Sequence, residues 1–109
     1  MVETKKILAQ ATSLTTTLIP IYTVGAGIQA VVSTLLICNR GSGATTFRVS
    51  VAKAGAIDTN SQYIYYNVSI GAADTFAATL GITLGEQDVI RVYAGNSNLS
   101  INLFGVEIT

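Results

Sequence analysis

Cys38 is the only cysteine of the chain, and it stands directly before Asn39-Arg40-Gly41-Ser42-Gly43. A thiol two residues from an arginine, beside a glycine-rich loop, has the makings of a nucleophile in an anion cradle. A reactive cysteine needs its thiolate stabilised by a cation, a metal or a helix N-terminus. In an extended strand Arg40 would share a face with Cys38. The chemistry stops there. The sequence has no histidine, so neither a Ser-His-Asp nor a Cys-His site can be assembled in its usual form. One cysteine without histidines is also too small a ligand set for zinc. Gly41-Ser42-Gly43 lacks the Lys-Ser/Thr end and the following helix of a phosphate-binding loop, and reads as a hairpin loop. Cys38 is therefore expected to close an apolar strand and pack as a small hydrophobe.

The carboxylates are Glu3, Asp58, Asp74, Glu86, Asp88 and Glu107. Glu86 and Asp88 flank a turn where calcium is conceivable. No Asp/Asn/Gly repeat at loop-ligand spacing accompanies them, so both are read as solvated turn residues. Spacing alone leaves a glycosidase pair open, and nothing in the sequence argues for one. Two Asn-x-Ser triplets, at Asn67 and Asn98, carry no weight, because no apolar signal-peptide core follows the Met1 to Lys6 start. The chain is read as not an enzyme, with no metal and no cofactor.

Composition narrows the partners. Half of the 109 residues are apolar, only 11% are charged and the net charge is zero, whereas about 25% charged is typical. A surface so poor in charge points to contact with other proteins. The basic residues Lys5, Lys6, Arg40, Arg48, Lys53 and Arg91 are scattered and form no stripe that could neutralise a phosphate backbone, so nucleic acid is not an expected partner. The most apolar run, Ile28 to Cys38, is well short of the ~20 residues of a membrane helix, and no membrane association is expected.

The elements that must position these residues are strands. Threonine, valine, isoleucine and tyrosine dominate, turn residues recur about every ten positions, and no helical period is present. Eight strands are predicted: Thr4 to Ala11, Thr17 to Val24, Ile28 to Cys38, "TTFRVSVAK", "QYIYYNVSI", Asp74 onward, "DVIRVYAG" and "LSINLFGVEI". Pro20 places the second at an edge or a bulge. Phe47, Val49 and Val51 share one face of the fourth. Phe76, Ala78, Leu80, Ile82 and Leu84 stay in phase in the sixth. Ile28 to Cys38 is partly apolar on both faces, which implies a central strand or one covered by another subunit. In the last strand Phe104 follows Leu103, and a bulge or a change of sheet is expected there. The predicted fold is all-β, an eight-stranded antiparallel β-sandwich of jelly-roll or Greek-key type. It spans 1–109 as a single domain, with 1–14 an N-terminal arm or edge strand.

In the fifth strand Ile64, Tyr66, Val68 and Ile70 are assigned to the core, which turns Tyr63 and Tyr65 outward. Tyr93 is expected on another outer face. Exposed tyrosines favour an interface, ordinary cross-strand pairing being the bland alternative. Arg40, at a loop tip in a chain short of charge, is placed within reach of a neighbouring subunit. Arg40, Tyr63, Tyr65 and Tyr93 are thus the candidate interface residues. A sugar site on Tyr63, Tyr65 and the Asp58 to Ser61 loop is a distant alternative, weakened by the lack of tryptophan.

The segments "IYTVGAGIQAVVSTLLICNRG", "TTFRVSVAKAG", "QYIYYNVSI", "DTFAATLGITLGEQDVIRVYAG" and "LSINLFGVEIT" together resemble a family of small all-β virion proteins of tailed bacteriophages. "CNRG" followed by "TTFRV", and the closing "LFGVEIT", are the most telling. Gly25-Ala26-Gly27 departs from it, since a proline is expected in that turn. The resemblance spans nearly the whole chain and brings no catalytic motif. It implies a structural role in the virion, assembled in the bacterial cytoplasm. The expected role is capsid decoration, a cement protein bound to the major capsid protein or other virion proteins. A homo-oligomer is expected, a trimer ahead of a dimer. A tail, baseplate or fibre component is the runner-up.

Overall fold

Alternation of apolar and polar side chains makes these segments strands, and the burial pattern of the fourth displays it: Phe47 and Val49 are fully buried while Arg48 between them reaches the surface. The computed structural model describes residues 1–12 and 14–109. Ser13, inside the 1–14 stretch expected as an arm or edge strand, lies outside the described residues. The strands are β1 (Glu3–Ala11), β2 (Ile19–Thr23), β3 (Gln29–Asn39), β4 (Thr45–Ala52), β5 (Tyr63–Ile70), β6 (Thr75–Leu84), β7 (Val89–Ala94) and β8 (Leu99–Ile108). All eight expected strands are present, with ends within two residues of those read from the sequence.

They form two four-stranded antiparallel sheets, ordered β1-β8-β3-β6 and β2-β7-β4-β5. The pairing is nested. β4 pairs β5, β3 pairs β6, β2 pairs β7 and β1 pairs β8. Successive pairs fall in opposite sheets, as when one long hairpin is rolled up. That is the jelly-roll arrangement of the β-sandwich. Between the sheets lie Leu14, Leu35, Ile37, Phe47, Leu84, Ile90, Leu99, Ile101 and Leu103, all essentially inaccessible to solvent. Each such side chain contributes ~1.5–3 kcal/mol by leaving water. β1 is an edge strand, and backbone hydrogen bonds of 2.8 and 2.9 Å between Val2 and Thr109 extend its ladder with β8. β2 is also an edge strand and shifts register between Pro20 and Tyr22, as a proline in a ladder requires.

The expected bulge near Phe104 lies on the neighbouring strands instead. β8 alternates without a break, with Leu99, Ile101, Leu103 and Gly105 inward. The extra residues are Leu8 in β1, set against the Leu103–Phe104 step, and Ser33 in β3, set against the Phe104–Gly105 step. Ser33 Oγ donates to the Phe104 carbonyl at 3.1 Å. This bulge explains the two-sided apolar pattern of β3. Ala30 and Val32 point inward before it, and Leu35, Ile37 and Asn39 after it. The strand is also central, between β8 and β6. Gly105 is needed at this point, because an added Cβ would meet the Val31 carbonyl oxygen at 2.0 Å and Leu8 Cδ1 at 2.9 Å.

The β4–β5 connection folds back over the outer face of the second sheet. Arg91 of β7 holds it, donating to the carbonyls of Ala56 at 2.8 Å and Gly55 at 3.3 Å and pairing with Asp58 at 2.7 Å. Asp88 accepts from the Ala54 amide at 2.8 Å. Ser50 and Ala52 are fully buried, although their strand phase turns them away from the core. Ser50 Oγ has no hydrogen-bond partner among the described residues. No helix among those residues is long and apolar enough to cross a membrane.

Candidate functional site

The outer face of the second sheet carries a row of aromatic and cationic side chains across β7, β4 and β5. Arg48 of β4 lies directly opposite Tyr93 of β7 in the ladder. Its guanidinium carbon sits 4.3 Å from the centroid of the Tyr93 ring and 4.3 Å from that of Tyr66 on β5. Tyr66 in turn meets Tyr63 edge to face, with centroids 4.9 Å apart. Two irregularities in β5 create the row. Phe47 pairs with Val68 and Val49 with Tyr65, so both Tyr66 and Asn67 oppose Arg48. Asn67 takes the left-handed conformation, φ 51°, which asparagine tolerates better than most residues. Its side-chain carbonyl accepts from Arg48 Nε at 2.6 Å. A second shift pairs Ser50 with Tyr63, leaving Ile64 as the extra residue.

These shifts correct the sequence reading of β5. Tyr63 and Tyr65 do not share a face. Tyr63 points outward and Tyr65 points into the sandwich, where its ring lies 5.2 Å from Phe76 and 6.1 Å from Phe47. Tyr66, assigned to the core, is instead 56% exposed, and Ile64 is 41% exposed. Tyr93 and Tyr63 occupy the same surface row rather than separate faces. Arg48 and Tyr66, not singled out as candidates from the sequence, are its centre.

Arg40 sits apart, beyond the end of β3 in the other sheet. It is exposed, but its Nη2 donates to Thr12 Oγ1 at 3.0 Å and to the Ser97 carbonyl at 3.1 Å, and its amide bonds the Asn98 carbonyl at 2.9 Å. Arg40 thus ties three loops together. Cys38 is partly buried, in register with Thr75 and Ser100. Its neighbour Asn39 is fully buried and does more for the loops. It donates to the carbonyls of Gly43, Ile70 and Gly71 at 3.0–3.2 Å and accepts from the Gly41 amide at 2.9 Å.

Five of the six carboxylates are engaged by the scaffold. Asp58 pairs with Arg91, and Asp74 caps the Thr75 amide. Glu86 accepts from the Gly27 amide at 2.8 Å and Asp88 from the Gly85 amide at 2.8 Å. Glu107 bridges the sheets, accepting from the Tyr22 hydroxyl at 2.7 Å and pairing with Lys6 at 3.0 Å. The Tyr22 hydrogen bond, then Lys6, hold the Glu107 carboxyl below the usual carboxylate range. Burial, reinforced by Glu107, pushes the Tyr22 phenol well above its ordinary value. No cluster of three or more metal-ligating side chains occurs among the described residues.

Concavities are shallow surface features. One of about 290 Å³ is lined by Asn60, Tyr63 and Tyr66 at the end of the aromatic row. A larger one of about 580 Å³ lies between the chain termini and the β2–β3 turn. The arrangement at Arg48 holds a cation against two aromatic rings on the outer face of a sheet, which suits contact with another macromolecule. No family model matches the chain, and no curated protein matches it.

Proposed function

We propose that this chain is a structural protein of a bacteriophage virion, and specifically a head decoration protein. It seats on the assembled shell and bridges neighbouring capsid subunits. Binding only the assembled lattice stabilises that lattice by mass action. The reading joins two lines of support. One is the resemblance of nearly the whole sequence to small all-β phage virion proteins. The other is the Tyr93–Arg48–Tyr66–Tyr63 row, the single observation that carries a contact role. Tyrosine and arginine are the residue types that dominate protein–protein hot spots, and here they are fixed on rigid strands. In the proposed role the chain performs no chemistry, and its carboxylates serve turns and sheet bridging. A homotrimer at three-fold positions of the shell is the symmetry that suits such a lattice.

The test is quantitative mass spectrometry of purified particles of the phage encoding the chain. A decoration protein is present at on the order of hundreds of copies, and a tail, baseplate or fibre part at roughly six or twelve. The higher number supports head decoration and the lower one moves the protein to the tail. Absence from particles overturns the virion reading.

A further inference from the structure

We infer that Arg48 is a preformed receptor for a carboxylate side chain of a protein partner. The chain has three arginines: Arg40, Arg48 and Arg91. Arg40 is spent on Thr12 and Ser97, and Arg91 on Asp58 and two carbonyls. Among the described residues only Arg91 has a carboxylate partner, and Arg48 is the arginine that has neither a carboxylate nor any partner for its two Nη groups. Its Nε is taken by Asn67 at 2.6 Å, and neither Nη1 nor Nη2 makes a hydrogen bond among the described residues. The guanidinium carbon is held 4.3 Å from each of two tyrosine rings. Holding an arginine in one rotamer before binding removes much of the ordering cost of the contact. The fork left free is the geometry that receives a carboxylate through two parallel hydrogen bonds. Asn67 is the one hydrogen-bond acceptor the guanidinium meets among the described residues, and no carboxylate there offsets its charge.

The occupant is a protein aspartate or glutamate, not nucleic acid. A phosphate backbone is held by several cations in register, and the other arginine of this sheet, Arg91, is already neutralised by Asp58. A central charged hot spot flanked by tyrosine is the composition of a protein interface. That the partner is a shell protein rests on the virion reading above. The carboxylate site itself rests only on the geometry of Arg48.

The test uses the isolated chain. NMR follows the Arg48 Nε and the rings of Tyr66 and Tyr93 during titration with the blocked tripeptide acetyl-Gly-Glu-Gly-amide. Parallel titrations use acetyl-Gly-Gln-Gly-amide, inorganic phosphate and an oligothymidine. Saturable shifts confined to these groups with the glutamate peptide alone support the site. Arg48→Lys, which keeps the charge but loses the fork, should weaken binding roughly tenfold or more. Equal shifts with the glutamine peptide, equal binding by the lysine variant, or tighter binding of phosphate or oligothymidine would overturn the proposal. Because the probe is a peptide, failure here is distinct from absence of the chain from virions. Binding with no virion association leaves the site standing with another protein as its partner.

Discussion

Gly105→Ala is the substitution with the sharpest structural consequence. Gly105 lies where β1, β8 and β3 meet at the paired bulges, with its missing side chain aimed at the Val31 carbonyl. A methyl group there would stand 2.0 Å from that backbone oxygen and 2.9 Å from Leu8 Cδ1. The leucine tip can turn aside. The carbonyl cannot retreat by more than an ångström without opening the β3–β8 ladder at its centre. Overpacking of this kind costs ~1–3 kcal/mol in a compliant core, occasionally more, and a rigid ladder places Gly105→Ala at about 3 kcal/mol or above. That is a large part of the ~5–15 kcal/mol by which a domain is stable. In urea, with a slope of about 1.5 kcal/mol per molar, the midpoint should fall by about 2 M with little change in slope. Gly43→Ala is the control, since nothing lies within 4 Å of its added Cβ and its φ is not left-handed. It should change stability by less than about 0.5 kcal/mol. A loss below about 1 kcal/mol for Gly105→Ala would refute the bulge alignment.

Three further substitutions probe the polar groups of the sandwich. Ser50→Ala removes a buried hydroxyl that has no partner among the described residues, so it should be neutral or stabilising by up to ~1 kcal/mol in thermal unfolding. Asn39→Ala strands the amide of Gly41 and three carbonyls that Asn39 now serves, and should cost about 3 kcal/mol, with hydrogen exchange rising in both flanking loops. Glu107 has its folded pKa lowered, so its contribution is present at neutral pH and is lost as pH falls below the unfolded value of about 4.3 toward the folded one. Tyr22 has its folded pKa raised, so its contribution is present below about pH 10 and declines as pH rises beyond that. Tyr22→Phe should flatten both limbs of the stability–pH curve, and unchanged limbs would remove the Tyr22–Glu107 bridge from the explanation.

The strands were legible because burial imposes a period of two on most of them, and β6 carries it without interruption. Pro20 likewise announced an edge and a bulge. The nested pairing that makes the jelly roll was not legible, since many strand orders bury the same faces. The faces of β5 were read wrongly for a specific reason. A bulge inverts the phase of every residue beyond it, and β5 has two irregularities within six residues, from Tyr63 to Val68. Asn67, a residue tolerant of positive φ in the middle of an aromatic strand, was the available signal for one of them. Arg48 was visible on the wet face of β4. Its position between two rings depends on cross-strand register with Tyr93 and Tyr66, which no single strand contains. The burial of Ser50 and Ala52 depends on a loop folding back, and their own alternation pointed the other way.

The most direct measurement is an electron cryomicroscopy reconstruction of the assembled particle with this chain's density identified. We predict a sandwich at boundaries between shell subunits all over the head, with the outer face of the β2-β7-β4-β5 sheet turned toward the shell and Arg48 against an acidic side chain. Density confined to the tail, density with that face turned to solvent, or no density for the chain would contradict the proposed role.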